Sequence, residues 1–214
     1  VIEGALVLAA RWLGRRPIDL ERLTDTLDGA LLATQEMTVL VDTLADASRI
    51  AMGAIELDRE PAAIDRTVMT ALEMLDPVSR ARVVLDGDLA RDAVGDWDSH
   101  ALRRVITNLL TNAVKYSAAD AEIKVRADEE DGGVHLRVSD RGMGLLPEEQ
   151  AVLFQRYSRT EEARARGLPG VGLGLYACRG LVEAHGGRIW LESEGRDRGT
   201  TAHVVLPLAP VDAD

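Results

Sequence analysis

A long heptad pattern in the first quarter of the chain restricts its possible folds most strongly. Small or apolar residues recur in alternating steps of three and four at Leu20, Leu23, Leu27, Ala30, Thr34, Met37, Val41, Leu44, Ser48 and Ala51. Asp19 is a candidate N-cap and Gly53 a candidate stop, so the pattern predicts one helix of about 33 residues and about 50 Å. Such a helix needs partners of similar length to bury its apolar seam.

The segment before this helix offers one partner within the chain. Residues 1–13 are helix-compatible and end at Gly14, but a helix of about 13 residues covers only about 20 Å of the seam. We expect it to be the tail of a longer helix; a complete short hairpin, with the excess seam packed on the following domain, stays open. Residues 1–57 are thus predicted to form an antiparallel helical hairpin. Two copies would pair as a homodimeric four-helix bundle.

A mixed helix and strand pattern replaces the heptads after Pro61. The predicted helices span 65–75, 98–116, 147–154 and 172–185, and the predicted strands span 82–85, 122–127, 134–139, 188–192 and 201–206. Most of these strands are linked as hairpins. The pattern therefore predicts an α+β fold over residues 62–209, an α/β sandwich in which helices cover one face of a mixed sheet.

Composition excludes several classes of function. Lys and Arg number 25 against 36 Asp and Glu, and the net charge of −11 gives no reason to expect binding to nucleic acid or to an anionic membrane. The single cysteine, Cys178, excludes an internal disulfide and a cysteine-cluster metal site, and favours a reducing, cytoplasmic setting. No apolar run reaches the roughly 20 residues of a membrane span, so we expect no membrane contact by this stretch, although the full protein may be anchored elsewhere.

Two amides and an ammonium share one stripe of the predicted helix 98–116. Asn108, Asn112 and Lys115 stand at i, i+4 and i+7. Asparagine is a poor interior helix residue because its side chain competes for backbone hydrogen bonds. An amide oxygen can bind magnesium and the ammonium can meet phosphate, although a solvated helix face would show the same pattern.

A carboxylate follows the predicted strand 134–139. Asp140 precedes Gly142 and Gly144, which allow a ligand to approach the backbone closely. Such a carboxylate can accept a hydrogen bond from an exocyclic amine of a flat ligand. An ordinary turn is the competing interpretation.

A third cluster, Gly170, Gly172 and Gly174, opens the predicted helix 172–185. Glycines at a helix start present free N–H groups and the positive end of the dipole to an anion, which predicts a phosphate site. No strand leads directly into it and no Gly-Lys-Ser/Thr follows, so it is neither a dinucleotide fingerprint nor a Walker loop. The Arg-rich stretch of about 25 residues between the two glycine clusters is predicted to be a mobile lid.

Taken in order, these segments resemble the histidine kinase ATP-binding domain. NLLTNAVKYS at Asn108, DRGMG at Asp140, LFQRYSR around Phe154 and GVGLGL at Gly170 resemble its asparagine, first glycine, phenylalanine and second glycine boxes. Gly199-Thr200 resembles its terminal glycine-threonine element. The resemblance covers nearly all of residues 62–209, and the hairpin resembles the family's dimerisation segment.

The resemblance implies an ATP:protein-histidine phosphotransferase of a two-component system. It implies ATP or ADP and Mg²⁺ as ligands, and a response regulator receiver domain as partner. Asn112 would ligate Mg²⁺, Asn108 would support the phosphate site and Lys115 would touch phosphate. Arg156 or Arg159 would meet the γ-phosphate.

The remaining nucleotide contacts are implied in the same way. Tyr116 would pack on adenine, and Asp140 would accept a hydrogen bond from the adenine amino group. The other implied positions are Gly142 and Gly144 at the adenine, Gly170, Gly172, Gly174 and Leu175 around the triphosphate, and Thr200.

The acceptor histidine of such kinases has no counterpart here. The four histidines, His100, His135, His185 and His203, all lie in the predicted catalytic domain. Residues 1–4 resemble the stretch just after the acceptor motif, so we expect an upstream acceptor and no self-phosphorylation by this chain. A nucleotide-binding pseudokinase and a serine-type protein kinase on the same fold remain alternatives.

ATPases of the related gyrase, chaperone and mismatch-repair type are a further alternative. They resemble this fold but carry Glu where Asn108 stands, in order to activate water. An amide cannot act as a general base, which disfavours this interpretation.

Overall fold

The computed structural model describes Gly4, Val7, Leu8 and residues 20–91 and 93–208. The chain divides into two compact units, Val1–Asp46 and Ala47–Asp214. Helix α1, Leu20–Ala51, has 32 residues, in agreement with the predicted long helix. The candidate N-cap Asp19 and most of the predicted first helix lie outside the described residues, so the hairpin stays a prediction.

The seam of α1 is largely open to solvent in the single chain. Leu27, Val41 and Leu44 are 46%, 62% and 57% exposed. No described helix is long and apolar enough to cross a membrane. The last turn of α1 belongs to the second unit because Ile50 packs on Gly180, which explains why the division falls before the predicted boundary at residue 57.

A five-stranded mixed sheet forms one layer of the second unit. The strands of the chain are β1 Glu60–Ala63, β2 Val83–Leu85, β3 Val94–Trp97, β4 Ile123–Glu130, β5 Gly133–Ser139, β6 Arg188–Glu192 and β7 Thr201–Pro207. The order in the sheet is β2-β4-β5-β7-β6, with β2 parallel to β4 and the other pairs antiparallel. Ile123, Val125 and Ala127 alternate with exposed residues, so one face of the sheet is buried.

Helices form the second layer. They are α2 Ile64–Glu73, α3 Pro77–Arg80, α4 Ser99–Tyr116, α5 Pro147–Val152, α6 Glu161–Ala165 and α7 Gly174–Ala184. Helix α4 packs against α2, α7, β4 and β5. Its apolar side, with Leu102, Ile106 and Leu110 almost fully buried, lies in the core with the inner residues of the sheet. The predicted α+β sandwich with a mixed sheet is confirmed.

Several features differ from the expectations, among them the short helix α3, which the sequence pattern did not indicate. Strands β1 and β3 form a separate antiparallel pair that the sequence pattern did not indicate. Both strands are short, β1 contains Pro61, and the pairing joins segments more than 30 residues apart, so no local signal marks it. In addition, the lid contains helix α6, which begins at the N-cap Thr160, where an irregular stretch was expected.

Candidate functional site

Asp140 lies at the end of β5 with one carboxylate oxygen held by the backbone. Its Oδ1 accepts hydrogen bonds from the N–H of Gly142 at 2.7 Å and of Thr200 at 3.2 Å. The Asp140 N–H donates to the Thr200 carbonyl at 2.9 Å. Neither main-chain donor uses Oδ2, which leaves this oxygen to the Ser117 side chain or to a donor on a ligand.

Burial governs the ionisation of this carboxyl. It raises the pKa of Asp140 to about 6, although the N–H groups of Gly142 and Thr200 and the side chain of Ser117 act to lower it. The carboxylate form still dominates at neutral pH. A buried carboxylate with one oxygen already paired is suited to accept one N–H from the edge of a flat base.

The backbone around Asp140 is tightly packed. A side-chain carbon on Gly142 would come within 2.4 Å of the Tyr116 carbonyl oxygen, and one on Gly144, whose φ is +64°, would lie 1.9 Å from the Gly195 carbonyl oxygen. Met143 N–H donates to the Tyr116 carbonyl at 3.2 Å. This bond joins the end of α4 to residues 141–145, called the glycine loop below. The structure therefore brings together the residues that the sequence assigned to adenine.

The polar stripe of α4 faces the start of α7. Asn112 Nδ2 donates to Asn108 Oδ1 at 2.8 Å, and a side-chain carbon on Gly174 would lie 2.4 Å from Asn108 Nδ2. Asn108, Asn112 and Lys115 are half-buried, unlike residues of a solvated helix face. Among the described residues no donor reaches Asn112 Oδ1, so this amide oxygen fits a magnesium ligand.

The predicted phosphate end, formed by Lys115 and the start of α7, combines a helix N-terminus with one ammonium. The N-cap residue of α7, Leu173, makes no side-chain hydrogen bond to the helix, so the first N–H groups are not capped. Lys115 Nζ donates to the Pro169 carbonyl, beside Gly170. Leu175 packs against the core rather than towards the loop.

The two candidate arginines differ in placement. Arg156 is exposed and contacts Tyr176, a residue of α7. Its guanidinium donates to the Tyr176 hydroxyl at 3.1 Å and lies 5.0 Å from the centre of the tyrosine ring. Arg159 is half-buried, and its Nη2 donates to the Leu168 carbonyl within the lid. The structure thus places Arg156 beside α7 and engages Arg159 with the lid backbone.

Sequence reasoning missed the loop between β6 and β7. Ser193 Oγ accepts from Leu145 N–H at 3.0 Å and donates to the Gly199 carbonyl at 2.6 Å, so this loop supports the glycine loop from behind. In the sequence, only the Gly199-Thr200 pair indicated that this loop belongs to the site. Within the described residues no group of three or more His, Cys, Asp or Glu could hold a metal ion, so a cation here would depend on amide and phosphate oxygens.

Comparison with known proteins agrees with this geometry. The profile of the family described as histidine kinase-, DNA gyrase B-, and HSP90-like ATPase matches residues 97–210, more than half of the chain. Sensor protein KdpD of Escherichia coli (strain K12) is 40% identical over 154 residues, which is 71% of this chain and 17% of KdpD. Sensor protein SrrB of Staphylococcus aureus (strain N315) is 28% identical over 191 residues, 87% of this chain and 32% of SrrB. The chain therefore spans less than a third of either relative.

Solved structures show the same fold. The mycobacterial sensor histidine kinase MprB superposes with a TM-score of 0.58 at 29% identity, over 72% of this chain and 99% of that one. Acinetobacter baumannii histidine kinase AdeS, at 20% identity, superposes with a TM-score of 0.66 over 97% of this chain and 93% of that one.

Proposed function

The chain belongs to the histidine kinase-, DNA gyrase B- and HSP90-like ATPase family, and on this premise we propose that it is the catalytic region of a sensor histidine kinase. It binds Mg-ATP and transfers the γ-phosphoryl to a histidine on the helical hairpin. The observation that carries the proposal is the Asn108–Asn112 amide pair beside the phosphate end. An amide can hold a cation and position phosphate, but it cannot take a proton from water.

Each residue of the site has a positioning role in this reaction. Asp140 accepts a hydrogen bond from the adenine amino group. Lys115 leaves the Pro169 carbonyl to bind phosphate, and the N-terminus of α7 faces the transferred phosphoryl group. Arg156, which already contacts Tyr176 on α7, supplies a cation for the γ-phosphate. Magnesium, held by Asn112, would neutralise phosphate charge. The bond from phosphorus to the ADP oxygen breaks as a bond to the acceptor imidazole nitrogen forms.

Further parts of the proposal concern the whole protein. The exposed seam of α1 supports a homodimer, because a second copy would bury what one copy leaves open. Residues 1–57 then form the dimerisation hairpin and residues 62–209 the catalytic domain. A response regulator receiver domain accepts the phosphoryl group, in the cytoplasm.

Labelling with γ-labelled ATP tests the reaction. This chain should bind ATP without labelling itself, and should label a natively extended chain that carries the upstream histidine. The label should be lost in acid and survive base. Acid-stable label on Ser or Thr would favour a serine-type protein kinase, and no label with the extended chain would favour a pseudokinase.

A further inference from the structure

Arg196, in the loop between β6 and β7, joins three separate elements. Its Nη2 pairs with Glu149 Oε1 on α5 at 2.7 Å, and its Nε pairs with Glu162 Oε2 on the lid helix α6 at 3.3 Å. Its Nη1 donates to the Gly144 carbonyl of the glycine loop at 3.3 Å. Each nitrogen of one guanidinium therefore serves a different element.

The network is shielded from water more than an ordinary surface ion pair. The side chains of Arg196, Glu149 and Glu162 are only 28%, 16% and 27% exposed. Partial burial reduces solvent screening, and the planar guanidinium holds several acceptors in fixed directions. Networks of this kind contribute more than isolated exposed pairs.

The backbone next to Arg196 is bonded to the glycine loop beside Asp140. Asp197 N–H donates to the Met143 carbonyl at 2.9 Å, so the Arg196 backbone moves with the glycine loop. Glu162, in contrast, belongs to helix α6 of the lid, the stretch between Gly144 and Gly170. The Arg196–Glu162 pair is thus a direct link from the Met143–Gly144 backbone to the lid.

We propose that Arg196 is a positioning residue that holds the lid helix α6 against the adenine end and thereby slows release of the nucleotide. The inference rests on the proposed function, since it takes the ligand to be an adenine nucleotide. Loss of the link frees the lid, whose Pro169 carbonyl contacts Lys115 at the predicted phosphate end. ATP release should therefore be affected more than binding of adenosine, which has no phosphates.

The experiment compares Arg196→Gln, Glu162→Gln and their double variant. Displacement of a fluorescent ATP analogue by excess ATP should be about three- to tenfold faster in each single variant. The double variant should be no faster than Arg196→Gln alone, because both changes remove the same pair. Two controls should match the unmodified chain. Arg198 is an exposed residue of the same loop with no side-chain bond to any described residue, and Arg198→Gln is the first control. Arg166→Gln is the second, because Arg166 follows α6 directly and its ion pair with Glu162 stays inside the lid.

Hydrogen exchange on the nucleotide-free chain supplies a second readout. Arg196→Gln should speed exchange of the amides of α6 and the following lid residues and leave the amides of β5 and β7 unchanged. Additive effects in the double variant, equal losses for ATP and adenosine, or unchanged lid exchange would each overturn the inference. If the unmodified chain binds no nucleotide, the proposed function fails, while the exchange result still decides the role of Arg196.

Discussion

The two ends of the candidate site are built in different ways. At the adenine end, Asp140 is held by main-chain N–H groups, and neighbouring carbonyls leave no space for side chains on Gly142 and Gly144. At the phosphate end, Lys115 and Arg156 reach their partners through long side chains. Folding alone therefore completes the adenine end, whereas the phosphate end must exchange contacts when a ligand arrives. Changes that disturb the packed glycines of the adenine end should therefore lower stability, whereas changes to the side chains of the phosphate end should lower affinity alone.

The largest expected effect is that of Gly144→Ala on stability. The new methyl group would overlap the Gly195 carbonyl oxygen in a backbone conformation with φ of +64°, and we expect a loss of about 2–4 kcal/mol in the free energy of unfolding. Gly167→Ala is the matched control, because φ is +65° in the lid but nothing lies within 4 Å. It should lose only about 1 kcal/mol. Equal losses in denaturant titrations would show that the packing at the adenine end is not special.

Asp140→Asn should separate affinity from stability at the adenine end. The amide oxygen would take the Gly142 and Thr200 N–H groups, which turns the NH₂ group towards the adenine amino group. We expect adenosine and ATP affinity to fall about 10- to 100-fold by calorimetry. The melting temperature at pH 8 should not fall, because a buried charge is removed. Asp120→Asn, at an exposed position, should change neither quantity.

Lys115→Met should weaken only the binding of the phosphate groups. ATP affinity should fall about tenfold, adenosine affinity should stay constant, and stability should change little. Lys124→Met, on β4, is the control. A comparable loss of adenosine affinity in Lys115→Met would mean that the two ends are not separate.

The smallest predicted effect is a pH dependence. Burial raises the pKa of Asp140 to about 6 from an ordinary 3.8. The folded chain therefore favours the protonated carboxyl. This stabilisation is fully present in acid, and it is lost as the pH rises through about 6. Adenosine affinity should move in the opposite direction and rise between pH 5 and 7, because the carboxylate is the better acceptor. Both trends should vanish in Asp140→Asn, as melting and calorimetry across this range can test.

The elements that sequence predicts well have strong local signals. The apolar period of α4 and the Gly132–Gly133 turn between β4 and β5 placed those elements within a few residues of their observed limits. The grouping of Asp140 with Gly142 and Gly144 was equally predictable, since these residues are nearly contiguous in the chain; their contact with adenine stays a prediction.

Long-range contacts could not be predicted in this way. The partner of Arg159 depends on the backbone conformation of the lid. In the structure the Arg159 guanidinium donates to the Leu168 carbonyl instead of contacting α7. Arg196 resembles any charged loop residue in sequence, and only the fold brings it to Glu162. Side chains that join distant segments carry no periodic signal.

Calorimetric titration of Mg-ATP into the unmodified chain, Asp140→Asn, Lys115→Met and the double variant tests the central claim most directly. If one nucleotide bridges both ends, the unmodified chain should bind one ATP, and the losses in binding free energy should add in the double variant because the two residues address opposite ends of the ligand. Unchanged ATP affinity in Asp140→Asn, or binding of more than one ATP per chain, would contradict the account.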